Sequence, residues 1–202
     1  VATVSECAPA VTTQSGAPVP ATSASGDIGL IAGQNITQTA TGDITTGSGD
    51  VLIDAGADWT MAGGATIMAG GQDVFGRAAN NITLGVISLT NATANRVALQ
   101  AVSGSITDAN LASVNIQETL AAATTSLSLR AGTIIGGASG TTSSVNTQAI
   151  ALNVDTVAAT AASGIYLREL ASGGAIEVNS AAAVTVTING VVRSDFDSST
   201  TS

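Results

Sequence analysis

The chain has 202 residues, of which 45% are hydrophobic but only 2% aromatic and 9% charged, and its formal net charge is −9. Its positive charge comes from five Arg residues, so it lacks the basic patch that binding to nucleic acid or to an anionic membrane surface requires. No apolar run approaches the length that spans a bilayer. This composition favours one elongated unit whose core is built from small aliphatic side chains.

Residues 1–25 are predicted to form an irregular arm or linker, because three Pro residues lie there among Ala, Thr and Ser. Cys7 is the single cysteine, so an internal disulfide is excluded. It is either an inert thiol or, in a secreted chain, the point of a link between two copies. The chain starts at Val1 without a secretory leader, which we expect of a mature secreted product or of a piece of a longer protein.

From Gly26 the sequence repeats every 23 residues. Three consecutive slices fall into register: GDIGLIAGQNITQTATGDITTGS, GDVLIDAGADWTMAGGATIMAGG and QDVFGRAANNITLGVISLTNATA. A fixed period of this length is typical of a solenoid, in which each repeat buries its apolar face only against its neighbours.

Apolar columns in the repeat predict three short strands per turn, since residues two apart on a strand share one face. The third column holds Ile28, Val51, Val74, Val97 and Leu120; the fifth holds Leu30, Ile53, Gly76, Leu99 and Ala122; the seventh holds Ala32, Ala55, Ala78 and Ala101. Ile36, Trp59 and Ile82 mark a second strand, and Ile44 and Ile67 mark a third. Apolar residues rarely recur at helical spacing, which disfavours helices.

We therefore predict an all-β parallel β-helix (β-solenoid) over residues 26–186, with about seven turns of 23 residues. The columns shift after residue 100, where we expect short insertions or displaced corners. Segments 149–154 and 183–188 alternate in hydropathy and are predicted to be late strands of the same stack. Residues 187–202 are predicted to form a C-terminal strand and a polar tail.

Asp27, Asp50 and Asp73 form a column of carboxylates one turn apart. Ca²⁺ could relieve their repulsion, since hard cations prefer oxygen ligands. Alternatively each Asp accepts hydrogen bonds from backbone N–H groups at a corner. The second hypothesis is favoured because a parallel column, composed of Asn35, Asp58 and Asn81, contains Asn, which needs no counter-ion. No metal site is predicted, and Ca²⁺ binding to the first column stays open.

Three further features have structural explanations. Thr37, Thr60 and Thr83 form a row that could order water, but no second parallel row accompanies it, so stabilisation of the ladder by β-branched residues explains it better. Three N-glycosylation sequons begin at Asn35, Asn81 and Asn91 and are expected by chance in a chain so rich in Asn and Thr. Trp59 replaces Ile in a core column and is interpreted as a packing residue.

Catalysis has few candidate groups, because the chain has no His and its five Arg residues are scattered. A polysaccharide lyase on a β-helix would need clustered Asp residues and a basic residue on one face. The sequence therefore predicts no catalytic residue, no cofactor and a protein that is not an enzyme.

The segments GDIGLIAGQNITQTATGDITTGSGDVLIDAG and LSLRAGTIIGGASG resemble the repeat regions of filamentous haemagglutinin-like large exoproteins, which are secreted bacterial adhesins. The resemblance implies a right-handed parallel β-helix, an extracellular or cell-surface location and an adhesive or structural role. We expect a shaft segment or structural subunit of an extracellular fibre that self-associates or continues a longer fibre. The alternative hypothesis is a monomeric adhesin or carbohydrate-binding stalk with a glycan or cell-surface receptor. A third hypothesis is a polysaccharide lyase.

Overall fold

The computed structural model describes residues 2–5, 11–12, 21–111, 113–120, 123–138, 146–170, 177–181, 184–188 and 190–194. Three sheets of parallel strands stack around one common core, and the chain visits the sheets in strict rotation. No helix occurs among the described residues. The predicted parallel β-helix with three strands per turn is confirmed.

The strands are numbered in chain order, and every third strand belongs to the same sheet. Sheet A contains β1 (Ala2–Ser5), β4 (Ile28–Ala32), β7 (Val51–Ala55), β10 (Asp73–Ala78), β13 (Ala94–Ala101), β16 (Thr124–Ala131), β19 (Thr156–Ala161) and β22 (Glu177–Val178). Sheet B contains β2 (Val11–Thr12), β5 (Ile36–Gln38), β8 (Trp59–Met61), β11 (Ile82–Leu84), β14 (Ile106–Asp108), β17 (Ile134–Ile135) and β20 (Gly164–Ile165). Sheet C contains β3 (Ala21–Ser23), β6 (Ile44–Thr46), β9 (Thr66–Ala69), β12 (Val86–Leu89), β15 (Ile116–Glu118), β18 (Ile150–Asn153) and β21 (Leu167–Glu169).

The apolar columns lie directly over one another, as the period predicts. In sheet A, Ile28 pairs with Val51 and Val51 pairs with Val74. Their side chains belong to a single buried cluster that runs through the stack. The alanine column from Ala32 to Ala101 is also buried, where strands of sheet A approach a corner and space for larger side chains is short.

The spacing changes after Val97, which pairs with Leu127, 30 residues further along the chain. The prediction that Leu120 continues the column of Val97 is wrong, because Leu120 lies outside the strands and is 40% exposed. Extra residues are accommodated between strands, as between β14 and β15 and between β17 and β18, so the stack itself continues. The expectation of insertions is therefore confirmed, and segment 149–154 contributes β18 to sheet C as predicted.

The stack begins earlier than predicted. The segment interpreted as an irregular arm contains β1, β2 and β3, which start the three sheets. Ala2 pairs with Ile28, 26 residues away, so this first turn does not follow the period of 23 that defined the repeat. Cys7 lies outside the described residues.

Residues Thr185–Ile188 do not continue the stack, which corrects the prediction for segment 183–188. They form β23, which pairs antiparallel with β24 (Val191–Ser194) in a separate hairpin. Val184, Val186 and Ile188 of this hairpin pack on the outer face of sheet A, against Leu52, Phe75 and Ala98. The physical reason is that these outward positions of sheet A are apolar and need a cover. The predicted tail after Ser194 lies outside the described residues.

Candidate functional site

The carboxylates of the predicted Asp column form a ladder of hydrogen bonds along one corner of the solenoid. Asp27 Oδ1 accepts the backbone N–H of Asp50 at 2.9 Å, and Asp50 Oδ1 accepts the backbone N–H of Asp73 at 3.0 Å. Asp27 and Asp50 thus each satisfy a backbone donor of the following turn, which a buried or half-buried corner would otherwise leave unpaired. The hydrogen-bond hypothesis explains these two members of the column.

The next corner carries a second ladder of the same kind. Asn35 Oδ1 accepts the backbone N–H of Asp58 at 3.0 Å, and Asp58 Oδ1 accepts the backbone N–H of Asn81 at 3.0 Å. Asn and Asp alternate without a change of geometry, because either side chain supplies the required oxygen acceptor. In the described part of the chain, no group of three or more His, Cys, Asp or Glu is placed to hold a metal ion.

Arg96 ends the first ladder at the position where the period would place a fourth acidic residue. Its Nε and Nη2 atoms donate to the two carboxylate oxygens of Asp73, each at 2.6 Å. Burial raises the pKa of Asp73 above its ordinary value, the bond and charge of Arg96 oppose that shift, and the charge of Asp50 adds to it. The arginine therefore compensates the most deeply buried carboxylate of the column.

Asp54 joins the C-terminal hairpin to sheet A. Its Oδ2 atom accepts a hydrogen bond from Arg193 Nε at 2.6 Å, and its Oδ1 atom accepts one from Arg77 Nη1 at 3.2 Å. The structure thus gathers two arginines, separated by most of the chain, around one buried carboxylate. Asp54 and Arg77 are 23 residues apart and pair in register, so the period aligns them, but Arg193 joins them only through the hairpin, which the period does not predict.

The threonine row occupies the outer face of sheet B, as expected for residues that follow inward-facing ones. Thr37, Thr60 and Thr83 pair in register, and Thr107 extends the row. The hydroxyls of Thr83 and Thr107 lie 3.3 Å apart and form a hydrogen bond.

Trp59 is fully buried, which confirms its interpretation as a packing residue.

The sequon asparagines have structural roles in the chain as it stands. Asn35 and Asn81 belong to the second ladder, where Asn81 Oδ1 also accepts the backbone N–H of Ser105 at 3.0 Å. Asn91 Oδ1 accepts both the backbone N–H and the hydroxyl of Thr93, at 2.9 and 2.8 Å.

A group of polar residues near the C-terminal turns was not found from the sequence. Thr125 is buried; its N–H donates to Asp155 Oδ2 and its hydroxyl donates to Glu118 Oε2, both at 2.6 Å. Burial raises the pKa of Glu118 above its ordinary value; the bond from Thr125 opposes that shift, and the charge of Asp155 adds to it. The period of 23 failed to align these residues, so no column revealed them.

Glu169 lies in a column that is otherwise apolar, since Ile116 pairs with Leu152 and Leu152 pairs with Glu169. Both of its carboxylate oxygens are buried without a hydrogen-bond partner among the described residues. Burial, followed by the charge of Asp155, raises the pKa of Glu169 above its ordinary value. The last turn thus carries a carboxylate in a position built for a hydrophobic side chain.

Beside Thr125 an open cleft of about 390 Å³ lies at the corner between sheets C and A. Its polar lining includes Asn95, Arg96, Asp155 and Thr156. The Oδ1 atom of Asn95 is buried and has no hydrogen-bond partner in the part of the chain that the structure describes. Such a cleft offers hydrogen-bond donors and acceptors but no aromatic surface.

Comparisons with protein-family models, with curated proteins and with solved structures found no match to this chain. Within the described ranges, no helix has the length and apolar character of a membrane span.

Proposed function

We propose that this chain is a structural subunit or shaft segment of an extracellular bacterial fibre or adhesin, in which solenoids stack end to end. It acts without catalysis, by extending a rigid rod either from copy to copy or along a longer polypeptide. The observation that supports this proposal is that the terminal strands at both ends of the described stack have one unpaired edge.

At the C-terminal end, the described strands β20, β21 and β22 each pair with a neighbour on one side only. At the other end the same holds for β1, β2 and β3. Unpaired strand edges form a template for pairing with another chain. The C-terminal edge also carries two carboxylates, Glu169 in β21 and Glu177 in β22, which the joint has to accommodate. Open edges at both ends suit a repeating assembly.

The chemistry of the described site residues supports a structural role. The Asp and Asn side chains of the two corner ladders accept backbone hydrogen bonds from the next turn. Arg77, Arg96 and Arg193 bind carboxylates of sheet A. These groups stabilise the stack, which is the property that a fibre shaft requires.

Electron microscopy of the purified chain over a concentration series tests the proposal. We expect filaments one solenoid wide whose length increases with protein concentration. Particles that stay one solenoid long at every concentration would contradict assembly by stacking. Analytical ultracentrifugation of the same samples gives an independent measure of size.

The polar cleft beside Thr125 favours a second candidate, a stalk that binds glycans. Sugar hydroxyls would pair with the side chains of Asp155 and Arg96, which line the cleft. A glycan array probed with wild-type protein and with Asp155→Ala tests it. Binding that the substitution abolishes supports this candidate, while equal signals for both proteins, or none, argue against it.

A further inference from the structure

At the C-terminal end of the solenoid, sheet A extends one strand further than sheets B and C. In the described part of the chain sheet A has eight strands, whereas sheets B and C have seven each. The chain visits the sheets in the order A, B, C, so after β22 the next free position lies over β20 in sheet B. The first described strand, β1, belongs to sheet A.

This end also exposes residues of the core columns. Val178 continues the column of Val157 and is 81% exposed, and Ile165 continues the column of Ile135 and is 43% exposed. The residues one layer below them are buried, because a further turn covers those residues. Another turn of parallel strands would cover Val178 and Ile165 in the same way.

We propose that a second copy supplies this turn and that it docks rotated by about a third of a turn around the solenoid axis. This inference rests on the proposed fibre function. In the rotated joint, β1 of the second copy lies beside β20, its β2 beside β21 and its β3 beside β22. All three open edges are then paired in one continuous spiral.

The alternative joint, without rotation, is less complete. It would place β1 of the second copy on β22, since both belong to sheet A. Sheets B and C would then each be interrupted by an empty layer of about 4.8 Å, with unpaired backbone groups on both sides. Pairing every edge therefore selects the rotated joint.

The lengths of the terminal strands allow the rotated joint. β20, β21 and β22 have two, three and two residues, and β1, β2 and β3 have four, two and three. Strands in the middle of sheet A are longer, with eight residues in β13, and would not match strands of sheet B. The three sheets thus have strands of similar length at the ends, where each strand of the second copy would pair with a strand from a different sheet of the first.

Helical reconstruction of the filaments by cryo-electron microscopy tests the geometry. Seven full turns and one additional strand predict a rise of about 35 Å per copy, with a rotation of about 120°. Filaments with copies related by translation alone, or by another rotation, would overturn the rotated joint and leave the proposed function intact. Absence of filaments at all concentrations would overturn both the rotated joint and assembly from copy to copy.

A pair of substitutions tests the docking face. Val178→Asp places a charge in the joint, and we expect the critical concentration for assembly to rise about tenfold or more. Val192→Asp is the matched control, because Val192 is 54% exposed on the hairpin, which packs on the outer face of sheet A and contributes no strand to either end of the stack. Both variants should keep the wild-type circular dichroism spectrum and melting temperature. Assembly of Val178→Asp at wild-type concentrations would contradict the proposal.

Discussion

Trp59 and Gly76 illustrate how single residues in adjacent layers depend on each other. Trp59 replaces Ile in one column, and Gly76 replaces Leu or Ile in a neighbouring one. A Cβ atom added at Gly76 would collide with the Trp59 ring and with Leu99. The glycine is therefore present to make room for the indole, because a packed interior has no spare volume.

A double-mutant cycle tests this pairing. Gly76→Leu alone should destabilise the fold by about 3 kcal/mol through overpacking, and Trp59→Ile alone by about 2 kcal/mol through a cavity. The double variant restores regular columns of Ile and Leu and should regain most of the lost stability. Denaturant unfolding measures all four proteins. Additive losses in the double variant would show that the two positions are not coupled.

At the scale of elements, the hairpin of β23 and β24 is the part of the fold that departs from the stack. Its inner residues cover the apolar row that includes Leu52 and Phe75 on sheet A. Gly29 extends this row and leaves space for Ile188, whose Cγ2 atom would lie 3.2 Å from an added Cβ. Arg193 fixes the second strand through Asp54.

Val186→Asp should detach the hairpin, because it places a charge where the side chain is fully buried against the sheet. We expect faster hydrogen exchange of the β23 and β24 amides and increased binding of a hydrophobic dye to the uncovered row. Thr187→Asp is the control, since the adjacent side chain is exposed. Equal hydrogen exchange in the two variants would show that the hairpin does not depend on this contact.

The stack and the hairpin are both marked in the sequence, but the repeat identifies only the stack. Columns of Ile and Val at a constant spacing identify a solenoid, because parallel layers place equivalent residues over one another. The pair Asn189-Gly190, flanked by alternating apolar residues, is a strong hairpin signal. The alternation by itself does not distinguish a hairpin from a strand of the stack, since period-2 hydropathy is common to both. Asp54 and Arg193 could not be joined without that hairpin.

At the scale of the whole molecule, one buried and two partly buried carboxyl groups make stability depend on pH in one direction. Burial raises the pKa values of Asp73, Glu118 and Glu169 above their ordinary values. A raised pKa in the folded state means that the folded chain holds its proton more strongly than the unfolded chain. The stabilisation is complete below the ordinary pKa of about 4 and is lost as pH rises through the folded-state values.

We therefore expect the melting temperature to be higher at about pH 4, near the ordinary carboxyl pKa, than at pH 7. Glu169→Gln removes one of the three groups and should raise the melting temperature at pH 7 by about 2 °C, with little change at the lower pH. Glu177→Gln is the control, because Glu177 is exposed in β22. Differential scanning calorimetry across this range measures both variants. An equal gain from both substitutions would assign the effect to net charge, not to the position of Glu169.

The contact between Arg193 and Asp54 spans 139 residues and reaches from the last described strand back to β7. A linear array of repeats communicates only between adjacent units, so its two extremities can melt independently. Through this contact, the C-terminal hairpin packs against strands near the amino terminus, so the two parts of the array stabilise each other. If the C-terminal hairpin detaches, the apolar outer face of sheet A around Leu52 becomes exposed. We therefore expect the molecule to unfold in one cooperative step.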